Sequence, residues 1–166
     1  MKPQLKIVLF SLSTVAFIGC DRVTKDLAKT HLQFKAPVSY FRNTVRLVYV
    51  ENTGAAMSFA DDLPKNASFW LLSMLPLAFL LGLTVYIITR YKQMPFARLL
   101  SFALLIAGGL GNIIDRIVFD RHVTDFMIVG VGKLQTGIFN VADMCVTAGV
   151  IGLMLTHRER KPQALA

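Results

Sequence analysis

The sequence predicts a mainly α, polytopic membrane protein in one domain, residues 1–166, with four transmembrane helices and a small β-sheet at the outer membrane–water boundary. Three observations carry this prediction. Mean hydropathy is +0.54, with 54% hydrophobic and 17% charged residues, far more apolar than a soluble domain of this size. The apolar residues fall in blocks, Leu5–Cys20, Ala67–Thr89, Ala97–Val118 and Ile138–Thr156, where a spanning helix needs about 20 residues. Charge is sorted between the ends of those blocks. Lys2, Lys6, Arg90, Lys92, Arg98, Arg158, Arg160 and Lys161 share one side with a single carboxylate, Glu159, for +7. The other nine carboxylates share the opposite side with ten Lys and Arg, for +1. The positive-inside rule then places both termini in the cytoplasm and the carboxylates outside. The net charge of +8 sets topology and does not point to nucleic acid.

The first span covers about residues 5–28. Its apolar block is short, and the helix continues past Asp21 through Lys25, an acid–base pair at i, i+4. Phe17-Ile18-Gly19-Cys20 has the look of a lipobox at the end of a signal peptide, but three further spans follow, and an uncleaved helix is the better reading. A β-region of about residues 35–62 comes next. Val45–Val50 is rich in β-branched and aromatic residues, and Val38–Phe41 is its candidate partner strand. Glu51–Phe59 reads either as a plain hairpin connection or as a loop brought close to a ligand, with Gly54 giving it unusual backbone freedom.

The second span, about residues 67–90, carries Pro76 and no charge before Arg90, and reads as scaffold. Met94-Pro95 is a short turn into the third span, about residues 97–119. Gly108, Gly109 and Gly111 there suit close helix packing. Packing leaves unexplained why Asn112, Asp115 and Arg116 share a face at i, i+3 and i+4. An Asp115–Arg116 ion pair is the plain account, and a polar face turned to the fourth helix is the sharper one. The fourth span, about residues 138–157, starts at Phe139-Asn140-Val141-Ala142-Asp143, where Asn140 suits a helix cap and Asp143 a favourable first-turn acid. Asp125, taken alone, is an ordinary loop acid. Residues 163–166 read as a frayed tail.

Ionisable groups this close to a membrane are functional candidates by default. Ser or Cys nucleophiles need a base within reach, but His157 falls on the cytoplasmic side and Cys145 lies inside an apolar helix. Zinc needs three convergent ligands, and only His122 and Asp125 offer themselves. Cys20 and Cys145 both sit in apolar blocks and do not suggest a disulfide framework. What remains is a carboxylate-lined cleft at the outer face, fed by two helix ends. Two Asp sharing one proton there can act as base and acid together. A proton- or ion-coupled transporter using Asp115, Asp125 and Asp143 as a relay remains open, as does a non-enzymatic assembly factor docking through its sheet.

Five motifs go further: Asp21-x-x-x-Lys25, Asn52-x-Gly54-Ala55-Ala56, Gly108-Gly109-x-Gly111-Asn112-x-x-Asp115-Arg116, Val123-x-Asp125-Phe126 and Phe139-Asn140-x-Ala142-Asp143. In order and approximate spacing they resemble those of the bacterial lipoprotein signal peptidases (signal peptidase II), along essentially the whole chain. The resemblance implies a four-helix aspartic peptidase of the inner membrane with a periplasmic β-cradle, cleaving diacylglyceryl-modified prolipoproteins before the lipidated Cys. It implies Asp125 and Asp143 as the catalytic pair, and Asn52, Gly54, Asn112, Arg116 and Asn140 as substrate-binding. Asp21, Lys25, Gly108, Asp115 and Ala142 then support the site. No cofactor or metal is implied, and the expected partners are lipid-modified prolipoproteins and membrane lipid, with the enzyme a monomer. The chain departs from the family at Arg22, where Gln is usual, at Thr136-Gly137, where Trp-Pro is common, and at Met57 and Met127.

Overall fold

A computed structural model describes residues 1–53 and 64–157. Among these residues are three helices long and apolar enough to cross a membrane, one shorter apolar helix, and a four-stranded antiparallel sheet. The first helix, α1, runs Pro3–Leu32 and has Pro at its first position, where a missing N–H costs nothing. Its 30 residues give it about 45 Å, more than the roughly 30 Å of a hydrocarbon core, so it has length to spare for the polar turns around Asp21 and Lys25.

The second rod is composite. A short α2 (Lys65–Phe69) passes through a π-helical stretch, Trp70–Met74, into α3 (Leu75–Arg90), and a 3₁₀ turn, Tyr91–Gln93, ends it. Pro76 explains the irregularity. It cannot donate a backbone hydrogen bond and its ring crowds the preceding turn, so the helix widens there and the Leu75 N–H reaches back to the Trp70 carbonyl.

Helix α4 (Phe96–Val118) is the centre of the bundle. Leu99, Phe102, Ala103, Ile106, Ala107 and Ile113 are buried against its neighbours α1, α3 and α5. By contrast α1 and α3 turn Leu12, Val15, Phe79 and Val85 outward, as helices bathed in acyl chains do. Helix α5 (Val141–His157) lies closest to α4, and the glycines make that possible. A Cβ on Gly108 would run into the Ala142 carbonyl and Val146, and one on Gly149 would meet the α4 backbone at Ser101 and Leu105.

The sheet has the order β1-β2-β3-β4, with β1 Val38–Tyr40, β2 Val45–Asn52, β3 Val123–Val131 and β4 Leu134–Gln135. Its first two strands coincide with the two segments of high β-propensity. The other two lie outside the β-region of about residues 35–62 that the sequence predicts. Val123–Val131 is a nine-residue strand, so Asp125 is held in a ladder rather than on a loop. It pairs with β2 in the register Val45↔Val129, Leu47↔Met127, Val50↔Asp125 and Asn52↔Val123, with a bulge between Leu47 and Val50. Phe139 also pairs with Met127, so the approach to α5 is tied to the sheet and the helix begins only at Val141.

Candidate active site

Four charged side chains where α1 meets α4 form the base of the site. Asp21, Lys25 and Asp115 are buried, and such charges are tolerable only when paired and hydrogen-bonded. The Lys25 ammonium sits 2.8 Å from Asp21 Oδ2 and 2.8 Å from Asp115 Oδ2, and donates to Asn112 Oδ1 at 3.0 Å. All three of its N–H groups therefore have acceptors. Asp115 also pairs with Arg22, whose guanidinium lies 5.3 Å from the centre of the Phe119 ring. Asp21 Oδ1 accepts the Ala142 N–H at 2.8 Å, which satisfies a first-turn donor of α5 that has no partner within its own helix. Asp21, Lys25, Asp115 and the Ala142 N–H thus belong to one connected cluster. Gly111 makes room for it, since a Cβ there would lie 2.7 Å from Asp21 Oδ2.

Asn112 carries this order one layer further. Because the ammonium of Lys25 can only donate, the Asn112 side chain must turn its oxygen to it. Its NH₂ then faces Asp143 and donates to Oδ1 at 2.7 Å. Asn140, wholly buried, binds both remaining partners. Its Nδ2 donates to Asp125 Oδ1 at 2.6 Å and to Asn112 Oδ1 at 3.1 Å, while its backbone N–H donates to Asp143 Oδ2 at 3.1 Å. In return Asn140 Oδ1 accepts the Asp143 N–H at 3.0 Å, a reciprocal cap on α5. Asn52, at the end of β2, donates to Asp125 Oδ2 at 3.0 Å. Asp125 and Asp143 thereby converge on one asparagine from a strand and a helix end.

Asp125 is only 4% exposed. Burial pushes its carboxyl above the ordinary range, the Asn52 hydrogen bond pulls the other way, and the negative charge of Asp143 adds to the rise. Both carboxylates, with Asn52, Asn112 and Arg116, line a cavity of about 780 Å³. Its far wall is apolar and comes from β3 (Val123, Val129), the approach to α5 (Ile138, Phe139) and α5 itself (Met144, Val146, Ile151). A smaller cavity of about 260 Å³ between Arg22, Lys29, Glu51 and Phe119 contains neither Asp125 nor Asp143.

The residues expected on one polar face of α4 divide their work. Asn112 and Arg116 line the large cavity, whereas Asp115 turns to Arg22 and Lys25 of α1. Gly54 lies outside the described residues, as does most of the Glu51–Phe59 stretch read as a hairpin connection or a loop close to a ligand. Two participants escaped the sequence reading. Arg22 stood out only as a departure, yet it is a partner of the buried Asp115. The apolar wall of α5 was visible as the helical spacing of Met144, Thr147, Ala148 and Ile151 on the face that carries Asp143. Among the described residues no group of three or more His, Cys, Asp or Glu could hold a metal ion, and His122 instead has its Nδ1 at 2.8 Å from the Phe119 carbonyl.

The sequence model of the family described as "Signal peptidase (SPase) II" matches residues 13–158. A protein called lipoprotein signal peptidase from Xylella fastidiosa (strain M12) is 34% identical over 148 residues, covering 89% of this chain and 87% of its own. A protein of the same name from Dehalococcoides mccartyi (strain CBDB1) is 35% identical over 156 residues, covering 90% and 89%. Among solved structures, one described as a bacterial membrane enzyme solved by the in meso method at 2.3 Å resolution superposes with a TM-score of 0.78 at 26% identity, over 96% of each chain.

Proposed function

The chain belongs to the signal peptidase II (lipoprotein signal peptidase) family, a family of proteases, and on that footing we propose that Asp125 and Asp143 are the pair that activates water in this member. The observation that carries the proposal is the shared grip of Asn140 on both carboxylates, inside a cavity that is polar at one end and apolar at the other. Two acids held this way share one proton, and they titrate as a unit. The charged member takes a proton from water as its oxygen attacks the peptide carbonyl, and the protonated member gives its proton to the carbonyl oxygen. The tetrahedral intermediate then collapses: the leaving nitrogen takes a proton from the pair as the scissile C–N bond breaks, and a hydroxyl of the intermediate returns its proton to the pair as the C=O bond re-forms. One proton remains on the dyad, so the cycle closes without a covalent enzyme intermediate and without a cofactor.

The surrounding residues fit the roles of holders. Asn52, Gly54, Asn112, Arg116 and Asn140 bind the peptide backbone of a prolipoprotein, while Asp21, Lys25, Gly108, Asp115 and Ala142 keep the two acids in place. The apolar wall formed by Val129, Met144 and Ile151 suits the acyl chains of a diacylglyceryl group on the Cys that follows the scissile bond. A substrate anchored in this way arrives by lateral diffusion, so part of its orientation is set by the bilayer before it touches the enzyme. The whole chain acts as one membrane-embedded domain and as a monomer. Both termini are cytoplasmic, and the sheet and the dyad sit at the periplasmic face, as the charge sorting requires. The transporter reading finds no support in the relatives, all of those named being peptidases.

The test is processing of a diacylglyceryl-modified prolipoprotein by protein reconstituted in lipid. Asp125→Asn and Asp143→Asn should each abolish release of the signal peptide while leaving the thermal transition of the protein in place. Processing retained by either variant removes that residue from the chemistry.

A further inference from the structure

The sheet has two ends of opposite character, and only one of them belongs to the site. At the far end the β1–β2 turn (residues 41–44) and the β3–β4 turn (residues 132–133) lie side by side, because Val45 pairs with Val129 and the Gly130 N–H donates to the Thr44 carbonyl at 2.9 Å. This end exposes large apolar side chains to an unusual degree: Phe41 is 80% exposed, Val131 73% and Leu134 84%. Phe41, Arg42 and Asn43 are all in the left-handed region, with φ of 50°, 54° and 66°, a run that non-glycine residues adopt only at a cost.

Its charge is of one sign. No carboxylate occurs in residues 27–50 or 126–142, which contain Lys29, Lys35, Arg42, Arg46 and Lys133. Among the described residues, Arg42 and Lys133 have no ion-pair partner. The opposite end of the same sheet carries Glu51 and Asp125. The basic, apolar end also lies over the bundle rather than away from it. Val129 and Thr136, next to the turns, line the same cavity as Ile151, which is more than two helical turns along α5 from Asp143.

Exposed aromatic and aliphatic side chains interleaved with unpaired cations, overhanging a membrane-spanning helix, match one partner chemistry. We propose that the paired turns are an anchor that dips into the headgroup layer and gathers anionic phospholipid beside the mouth of the cavity. The apolar tips reach the acyl boundary, and Arg42 and Lys133 hold phosphate groups. This inference rests on the spans and the sheet and is independent of the proteolytic reading.

The experiment uses the full chain in vesicles, with Leu134→Trp in a Trp70→Phe background so that residue 134 carries the only tryptophan. Emission is quenched with phosphatidylglycerol or phosphatidylcholine brominated near the top of the acyl chains, at equal mole fraction in otherwise identical bilayers. Quenching should be severalfold stronger with the brominated phosphatidylglycerol, and adding Arg42→Gln and Lys133→Gln should remove that preference, each charge being worth about fivefold. Both substitutions are at surface positions distant from the dyad, and circular dichroism confirms the fold. Equal quenching by the two lipids in the parent overturns the anionic preference. Quenching by aqueous acrylamide alone overturns the anchor altogether.

Discussion

Asn140 and Asp143 cap one another: the Asn140 side-chain oxygen accepts the Asp143 N–H at 3.0 Å, and the Asp143 carboxylate accepts the Asn140 N–H at 3.1 Å. The hydrogen bonds that begin α5 are therefore the ones that aim Asp143, and the leftover NH₂ of Asn140 is what reaches Asp125. Helix capping and preparation of the acid pair are one arrangement.

The two duties of Asn140 can be separated. Asn140→Ser keeps a side-chain oxygen for the cap but loses the donor to Asp125, whereas Asn140→Ala loses both. The alanine variant should be less stable by about 1 kcal/mol relative to serine. Turnover should fall by roughly a hundredfold or more in both, the scale on which a preorganised donor acts. Thermal unfolding and prolipoprotein processing, measured on the two variants together, check this.

Asp125 gives a pH signature. Its carboxyl is raised in the folded protein, chiefly by burial, so folding favours its protonated form. The resulting stability is fully present below the unfolded value near pH 4 and is lost as pH climbs through the raised folded value. In Asp125→Asn that titration is gone. The stability of the variant relative to the parent should rise with pH above about 4 and level off at higher pH. Denaturant unfolding in detergent at several pH values measures the difference, and a difference independent of pH would contradict it.

Lys25 sits among three acceptors, and its removal leaves carboxylates buried without their partner. Lys25→Met should cost about 3–5 kcal/mol. The paired variant Lys25→Met with Asp21→Asn should recover part of that loss, because the removed charges depended on each other. Activity should stay low in both, since Asn112 no longer has a cation to orient its amide toward Asp143. Stability and processing are read on the same preparations.

Two glycines in neighbouring helices should behave oppositely. At Gly108 a methyl group meets the Ala142 carbonyl and pushes α5 away from α4, so Gly108→Ala should cost about 1–3 kcal/mol and much of the activity. At Gly82 nothing lies within 4 Å, and Gly82→Ala should be neutral or stabilising by up to about 1 kcal/mol. The midpoint of thermal unfolding for each variant distinguishes them.

Much of the fold was legible because its signals are local. A spanning helix announces itself as a run of apolar residues, and α1 continues through Asp21 and Lys25 because their i, i+4 spacing suits a helix. The cap at Asn140 was legible for the same reason. It is an ordinary helix start whose side-chain amide also reaches Asp125. Strand β3 was less legible. Its partner β2 lies more than 70 residues earlier in the chain, and a nine-residue segment gives no sign of which edge will receive it. Asp125 consequently looked like a loop acid until the ladder placed it opposite Val50.

The sequence by itself determined the apolar helices, the sorting of charge and which polar residues stand out along the chain, because hydropathy, helix caps and motif spacing are properties of short stretches. Only the tertiary structure decided how they act together. Lys25, Asn112, Asp125 and Asn140 come from two helices, a strand and a helix cap, and no stretch of chain specifies that one ammonium will orient one amide, or that one asparagine will hold two carboxyl groups. Those relations arise from close packing, which lets α4 approach α5 only where glycine leaves space and which excludes the water that would otherwise satisfy each polar group separately.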